Sequence, residues 1–315
     1  MSRTIEKVAV IGSGVMGAGI AAHCANAGCE VLLLDIVSKD EQDRSSLARN
    51  AIQMMHKSNP EMLMHKRNAR RIKPGNIEDD LEQLRDFDWV VEVIIENLEI
   101  KRNLYSKLSK HIGPNTILSS NTSTLPRTEL IAELPAEVAS RFLITHFFNP
   151  PRYLPLLEVV TSPEVDEDIV QRFCRFADLK LGKRVTMCND RPGFIGNRLG
   201  IYFIQRAFKA TLDHGLSVEQ ADAMLGRPIG LPKTAVFALM DLVGIDLIPH
   251  VTQSLLSHLP DEDPFHQIAG VGEDIVLSMI EEGYTGRKGK GGFYRLNRES
   301  GKKVKEARDL STGEY

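Results

Sequence analysis

The chain has 315 residues, of which 42% are hydrophobic, so it is long enough to bury a core in each of two domains. Its formal net charge of −3 indicates no general attraction to nucleic acid. No stretch reaches the roughly 18 apolar residues of a membrane span, and a strand pattern begins too early to leave room for a signal peptide. The four cysteines have no metal-ligand spacing and are interpreted as reduced thiols of a cytoplasmic protein without a metal site.

The first half of the chain alternates strand and helix patterns. The apolar run at residues 7–11 predicts a strand that is buried on both faces. A glycine-rich loop at residues 12–17 follows it and opens a helix that ends before Gly28. Further strands are predicted at residues 29–34, 89–95, 116–119, 142–145 and 156–160. Successive βα units of this kind predict an α/β fold with a Rossmann-type doubly wound sheet over residues 1–187.

After about residue 187 the pattern becomes helical. Helices are predicted at residues 192–214, 218–225, 234–240, 245–258 and 268–282, with glycines and prolines between them. We therefore expect an all-helical domain over residues 188–295. The charged stretch at residues 296–315 lacks apolar spacing and is predicted to be a linker or a frayed tail.

The glycine-rich loop predicts a dinucleotide site, because it follows a strand and opens a helix. Gly12 permits the tight turn, Gly14 lets a pyrophosphate approach the backbone, and Gly17 allows the helix to pack closely on the strand. Val15 and Met16, at the start of the helix, would offer backbone N–H groups to the phosphates.

Asp35 ends the predicted second strand, at the position from which a carboxylate accepts the hydroxyls of the adenosine ribose. The same carboxylate would repel the 2′-phosphate of NADP, so NAD is the expected cofactor. The alternative for both features is a tight turn between a strand and a helix, followed by a surface aspartate.

His146 ends a predicted strand, at the edge where ligands gather in open α/β sheets. Glu158 lies inside the apolar run of the next strand, where an unpaired carboxylate would be costly to bury. Neighbouring strands would bring the two side chains together, and a hydrogen bond between them would fix the imidazole tautomer and stabilise the imidazolium. The pair predicts a base that removes a proton while a hydride leaves for the cofactor. A lone histidine at this position would more often be a hydrogen-bonded residue of the core or rim.

Polar side chains at three further positions extend the predicted site. Ser120 follows the strand at residues 116–119 and should reach the same edge, although a serine there also suits a helix cap. Asn149 precedes Pro150, a pattern that also suits a turn. Asn197 lies one turn into the first helix of the second domain, where asparagine has mediocre helix propensity and a side-chain role is expected.

Four motifs resemble those of the L-3-hydroxyacyl-CoA dehydrogenases of fatty-acid β-oxidation, and the resemblance covers about residues 5–295. The motifs are Ser-Asn-Thr-Ser at 120–123, His-Phe-Phe-Asn-Pro at 146–150, Pro-Gly-Phe-Ile-Gly-Asn-Arg at 192–198 and Asp-Leu-Val-Gly-Ile-Asp at 241–246. The resemblance implies a Rossmann-type domain, a helical domain that dimerises, NAD as the cofactor, and conversion of a 3-hydroxyacyl-CoA to a 3-ketoacyl-CoA.

The same resemblance implies roles for individual residues. His146 would be the catalytic base and Glu158 its partner. Ser120 and Asn197 would hold the 3-oxygen of the substrate. The residues that the resemblance places near the nicotinamide half of NAD are Glu96, Lys101 and Asn149. Lys288 matches a family lysine that approaches the cofactor.

The segment of residues 44–73 carries eight lysines or arginines and one acid, Glu61. A solvated helical face is one interpretation of this charge. The other, which follows from the resemblance, is that the segment attracts the phosphates of coenzyme A, with Lys57 as the first candidate for a contact.

Two other functions stay open at this point. Residues 150–155 have some of the character of lambda-crystallin and L-gulonate dehydrogenases in the same superfamily, although Asn121 and the pair Phe147-Phe148 fit the acyl-CoA branch better. A non-catalytic NAD-binding protein with the same fold is the second alternative. Residues 305–315 resemble a junction in bacterial multifunctional proteins, so an enoyl-CoA hydratase domain is expected as a fused or separate partner.

Overall fold

The computed structural model describes residues 4–40, 42–297 and 303–315. The chain forms two compact units, which meet in the sequence between Phe194 and Ile195 rather than at residue 187. The residues just after 187 belong to the first unit because the Asp190 carboxylate accepts hydrogen bonds from the backbone N–H groups of residues 127–128, at 2.7 and 2.9 Å.

The first unit is built on one eight-stranded sheet. Its strands are β1 (Lys7–Ile11), β2 (Glu30–Asp35), β3 (Ile72–Asn76), β4 (Trp89–Glu92), β5 (Ile117–Ser120), β6 (Phe142–Phe147), β7 (Leu156–Val160) and β8 (Arg184–Cys188). They lie in the order β3-β2-β1-β4-β5-β6-β7-β8, and all neighbours pair in parallel except β6 and β7, which are antiparallel. The order of the first six strands is that of a Rossmann-type doubly wound sheet, which confirms the predicted fold class.

Helices cover both faces of this sheet. They are α1 (Val15–Asn26), α2 (Ser46–Met55), α3 (Leu98–Leu108), α4 (Arg127–Leu130), α5 (Ala136–Ala139) and α6 (Glu167–Leu179). Successive residues of a strand point to opposite faces. Val8 and Val10 of β1 therefore share one core with α1 and α6, whereas Ala9 and Ile11 share the other core with α3.

The six predicted strands are observed within a few residues of their expected bounds, but β3 and β8 were not predicted. β3 contains Pro74 and Gly75, which weaken a strand pattern and are tolerated because the strand lies at the edge of the sheet. β8 lies at the opposite edge and has only one buried residue, so it shows no apolar run. The basic segment is α-helical only in α2 and includes a 3₁₀ helix at Lys66–Arg71.

The second unit is helical, as predicted. Its helices are α7 (Gly196–Asp213), α8 (Val218–Met224), α9 (Phe237–Val243), α10 (Leu247–His258) and α11 (Glu273–Glu281). In its core the rings of Phe208, Phe237 and Phe293 pack edge-to-face, with centroids 4.9 to 5.8 Å apart. Within the described part of the chain, no helix combines the length and the apolar character that crossing a bilayer requires.

The structure corrects the prediction of a linker or frayed tail over residues 296–315, of which 298–302 lie outside the described residues. Two antiparallel strands pair here, β9 (Tyr294–Asn297) and β10 (Val304–Ala307). Arg308 follows β10, is 5% exposed, and donates to both carboxylate oxygens of Glu282 at 3.0 Å. Charged hydrogen bonds hold this segment against the rest of the second unit, so a lack of apolar spacing was not a sign of a linker or frayed tail.

Candidate active site

The glycine-rich loop joins β1 to α1 at the carboxyl end of the sheet. Gly12 has a φ of +106°, which favours glycine, and its N–H donates to the Leu34 carbonyl at 2.7 Å. A Cβ at Gly17 would overlap the carbonyl oxygen of Gly12, whereas a Cβ at Gly14 would meet no atom within 4 Å. The space over Gly14 is thus open beside the N-terminus of α1, as the close approach of a pyrophosphate requires.

Asp35 ends β2 and lies beside the glycine-rich loop. Its Oδ2 accepts a hydrogen bond from the Ser13 N–H at 2.6 Å, and its Oδ1 accepts one from the Ile36 N–H at 2.7 Å. A cleft of about 540 Å³ adjoins it, lined largely by aliphatic side chains that include Ile77 and Ile94. An apolar cleft that ends in a carboxylate fits an adenine and its ribose hydroxyls, so the loop and the cleft together fit NAD.

His146 and Glu158 lie directly opposite each other on β6 and β7. Their Nδ1 and Oε2 atoms are 2.7 Å apart, and the two residues are 6% and 0% exposed. A carboxylate only accepts hydrogen bonds, so this contact favours the imidazole tautomer with its hydrogen on Nδ1 and a lone pair on Nε2. The rings of Phe148 and Phe194 lie 4.5 and 5.8 Å from the imidazole, centroid to centroid. The pair can therefore accept a proton at Nε2 and hold the resulting imidazolium.

Ser120 ends β5 fully buried, and its hydroxyl donates at 2.7 Å to Glu92, the residue paired with it on β4. Glu92 also accepts from the Lys101 ammonium at 2.6 Å, from the Ile94 N–H at 2.7 Å and from the Tyr105 hydroxyl. Burial, and then the Glu92 charge, raise the pKa of Tyr105 well above its usual value, so Tyr105 is a neutral donor. Ser120 is thus hydrogen-bonded to a buried side chain, Glu92, that accepts hydrogen bonds from three other groups.

Glu96 is the second carboxylate beside Lys101, with Oε2 3.2 Å from the ammonium nitrogen. It accepts hydrogen bonds from the Ser123 N–H at 3.1 Å, from the Thr124 hydroxyl at 3.0 Å and from the Thr122 hydroxyl. Burial alone would raise the pKa of Glu96, but the Lys101 ammonium and the hydroxyl donors lower it below its usual value. Glu96 is therefore ionised and tied to the loop that follows β5.

The structure thus brings one set of predicted residues to the carboxyl edge of β4, β5 and β6: Ser120, His146, Glu158, Glu96 and Lys101. Of the other predicted residues in the first unit, Asn149 is exposed after β6 and Lys57 is exposed just past α2. Asn197 and Lys288 belong to the second unit, where Lys288 lies 2.7 Å from the Asp246 carboxylate. The proposed contacts of these four residues with cofactor or substrate stay predictions.

Glu92 and Tyr105 were not predicted from the sequence. The signal for Glu92 is a carboxylate at the end of an apolar strand run, Trp-Val-Val-Glu, which is the same signal that identified Glu158. Tyr105 carries no comparable signal, because an aromatic residue on a helix face is an ordinary core residue.

A dinucleotide loop and a histidine–carboxylate pair on one doubly wound sheet define the class of an NAD-dependent oxidoreductase. Sequence models of one family match most of the chain. The NAD binding domain of 3-hydroxyacyl-CoA dehydrogenase matches residues 7–191, and the C-terminal domain of the same family matches residues 193–296. The chain belongs to the 3-hydroxyacyl-CoA dehydrogenase family, and its first unit is the NAD-binding domain of that family.

Curated relatives and solved structures agree with this family. The chain is 43% identical over its whole length to a protein of Rickettsia felis named as a fatty acid oxidation complex trifunctional enzyme, of which it spans only 44%. It is 42% identical to a Deinococcus radiodurans protein named as a 3-hydroxyacyl-CoA dehydrogenase, over 94% of this chain and 84% of that one. The crystal structure of Mycobacterium tuberculosis FadB2 superposes with a TM-score of 0.76 at 28% identity, over 94% of this chain and all of that one. The crystal structure of 3-hydroxybutyryl-CoA dehydrogenase from Escherichia coli superposes with a TM-score of 0.75 at 30% identity, over 91% and 58%.

Proposed function

We propose that the chain oxidises L-3-hydroxyacyl-CoA to 3-ketoacyl-CoA with NAD⁺, reversibly, as a step of fatty-acid β-oxidation. The observation that carries the proposal is the 2.7 Å hydrogen bond between His146 and Glu158 on the sheet of an NAD-binding domain. When bound, NAD⁺ supplies the acceptor for the hydride that leaves C3 of the substrate. The protein must then take up the proton of the 3-hydroxyl.

His146 takes that proton at Nε2, while its Nδ1–H stays bonded to Glu158, which stabilises the imidazolium. In the reverse direction the protonated His146 polarises the ketone and returns the proton. Ser120 and Asn197 hold the 3-oxygen in this proposal. Because Ser120 donates its single hydroxyl proton to Glu92, that proton must turn toward the 3-oxygen as negative charge develops there.

The substrate class is tested by the consumption of NADH with acetoacetyl-CoA, in parallel with NADPH and with a free keto acid that lacks coenzyme A. Fast turnover with NADH and the thioester alone would support both the role of Asp35 and the acyl-CoA substrate. If acetoacetyl-CoA is not turned over, oxidation of L-gulonate with NAD⁺ in a separate assay would move the chain toward the L-gulonate dehydrogenase branch. Bound NADH without turnover of any alcohol or ketone would indicate a non-catalytic protein.

The role of His146 is tested by His146→Gln, which keeps a polar side chain but removes the base. We expect kcat to fall by roughly 10²–10⁴, with the Kd for NADH nearly unchanged. Near wild-type turnover of this variant would refute the assignment.

The coenzyme A half of the substrate is proposed to bind at the basic segment of residues 44–73. Lys57 is exposed there, whereas the Arg49 guanidinium is 2.7 Å from the Asp43 carboxylate. We expect Lys57→Ala to raise KM for acetoacetyl-CoA more than Arg49→Ala does, because the Arg49 charge is already paired. Lys110→Ala, at an exposed lysine just after α3, is the matched control. An unchanged KM in both basic-segment variants would remove this part of the proposal.

The partners are proposed from the resemblance of residues 305–315 to a junction in bacterial multifunctional proteins, and from the names of relatives. Two Rickettsia proteins and one from Idiomarina loihiensis are named as parts of fatty acid oxidation complexes, and the chain spans 41 to 44% of their lengths. We infer that an enoyl-CoA hydratase activity accompanies this chain, fused or separate, and that the chain acts in the cytoplasm as a homodimer. Sedimentation of the purified chain tests the dimer.

A further inference from the structure

The side chains behind Ser120 carry an excess of negative charge. We call Glu92, Glu96, Lys101, Tyr105 and Ser120 the Glu92 cluster. Its two carboxylates, Glu92 and Glu96, share the one ammonium of Lys101. The N-terminus of α3 adds roughly half a positive charge, which reduces the excess without cancelling it.

Part of this charge lies where water screens it poorly. The side chains of Glu92 and Lys101 are 0% and 1% exposed, whereas that of Glu96 is 35% exposed. Oε1 of Glu92 accepts from the ammonium and from a backbone N–H, and Oε2 accepts from two hydroxyls. Both oxygens of Glu92 therefore accept charge-assisted or neutral hydrogen bonds from groups that are fixed by the fold.

The order of the strands locates this charge relative to the cofactor. The pyrophosphate site at the glycine-rich loop lies at the end of β1, and Asp35 draws the adenosine toward β2. The nicotinamide half must then extend to the other side of β1, over the carboxyl ends of β4 and β5. Glu92 ends β4 and Ser120 ends β5.

We propose that the Glu92 cluster raises the affinity of this site for NAD⁺ relative to NADH, by setting an excess negative charge under the nicotinamide half. The nicotinamide ring is cationic in NAD⁺ and neutral in NADH, while the rest of the cofactor is the same in both. The inference rests on the cofactor half of the proposed function and not on the acyl-CoA substrate. At an effective dielectric constant of about 20, one unit charge about 12 Å from the nicotinamide ring changes the ratio of the two affinities by about tenfold. A tenfold change shifts the midpoint potential of the bound two-electron couple by about 30 mV.

The test measures the Kd of NAD⁺ by calorimetry and the Kd of NADH by fluorescence, in the wild-type chain and in Glu92→Gln. We expect the ratio of the NAD⁺ Kd to the NADH Kd to rise by about tenfold in Glu92→Gln. Glu92→Asp keeps the charge and should leave the ratio within about twofold of wild type. Asp88→Asn is the matched control, because Asp88 is a buried carboxylate at the amino end of β4, away from the cofactor edge.

The ratio separates charge from structural damage, because a distorted site weakens both nucleotides together. A folded Glu92→Gln with an unchanged ratio overturns the inference, and so does an equal change in Asp88→Asn. If Glu92→Gln does not fold, Glu96→Gln removes the other carboxylate of the cluster and must shift the ratio in the same direction. A wild-type chain that binds neither nucleotide also overturns it. Failure of acetoacetyl-CoA turnover would refute the proposed substrate and leave this result standing.

Discussion

Replacing Glu158 with glutamine tests the proton chemistry most directly, because it removes a charge and almost no volume. In the wild-type chain the carboxylate is 0% exposed and its Oε2 lies 2.7 Å from Nδ1 of His146. In the transition state the ring becomes an imidazolium, whose charge centre lies about 4 Å from that of the carboxylate. In Glu158→Gln the imidazolium faces a neutral amide, which can also present its N–H₂ group and favour the tautomer in which Nε2 is protonated and cannot act as a base.

The size of the effect follows from the lost attraction between the two charges. At an effective dielectric constant of about 20, two unit charges about 4 Å apart attract by about 4 kcal/mol. Since each 1.36 kcal/mol is a factor of ten in rate, kcat should fall by about a thousandfold. The Kd for NADH should change little, because Glu158 lies on β7, away from the glycine-rich loop.

The assay is steady-state reduction of acetoacetyl-CoA by NADH, with thermal unfolding to show that the variant is folded. Glu30→Gln makes the same substitution at an exposed glutamate on β2 and should leave kcat unchanged. A folded Glu158→Gln with kcat within about threefold of wild type would refute the reasoning, and a loss confined to KM would assign Glu158 to substrate binding.

Two further predictions concern the first unit. Gly14→Ala should keep the wild-type Tm and weaken NADH binding by about tenfold or more, because its methyl group enters the open space where the pyrophosphate is expected. Gly17→Ala should instead lower Tm, because its Cβ overlaps the Gly12 carbonyl. NADH titration and thermal unfolding separate these effects, and equal behaviour of the two variants would contradict the description of the loop. Stability should also fall as the pH drops from about 6.5 to about 4. Burial and the Lys183 charge lower the pKa of His23 to about 4 in the folded chain, so in this window the unfolded chain binds a proton that the folded chain does not. Over this pH window the free energy of unfolding falls by about 3 kcal/mol from this one group. Urea unfolding at a series of pH values should show a smaller loss in His23→Gln. The same loss in both proteins would exclude His23 as its cause.

The sequence predicted the strands that lie inside the sheet better than those at its edges. β1 and β4 are buried on both faces, so each must be a continuous apolar run, and such a run is visible without any structure. β3 and β8 lie at the two edges, where a proline or an exposed residue is tolerated and the apolar requirement lapses.

Residues of the candidate site were predictable where a buried carboxylate needed a partner and a neighbouring strand supplied one. Glu158 needed a neighbour, and the succession of strands offered His146. Glu92 obeyed the same requirement, but its partners Lys101 and Tyr105 lie on α3, and no local spacing pairs a strand end with the interior of a helix. Such contacts are tertiary and appear only in the folded chain.

The antiparallel pairing of β6 with β7 makes the position of the histidine–carboxylate pair independent of the loop between the two strands. His146 and Glu158 face each other through the register of the ladder, so residues 151–155 can change in length or sequence without changing the pairing of these two residues. A slip of one residue would instead turn Glu158 to the opposite face of the sheet. Selection acting on this loop can therefore remodel the surroundings of the base while its reactivity is inherited intact.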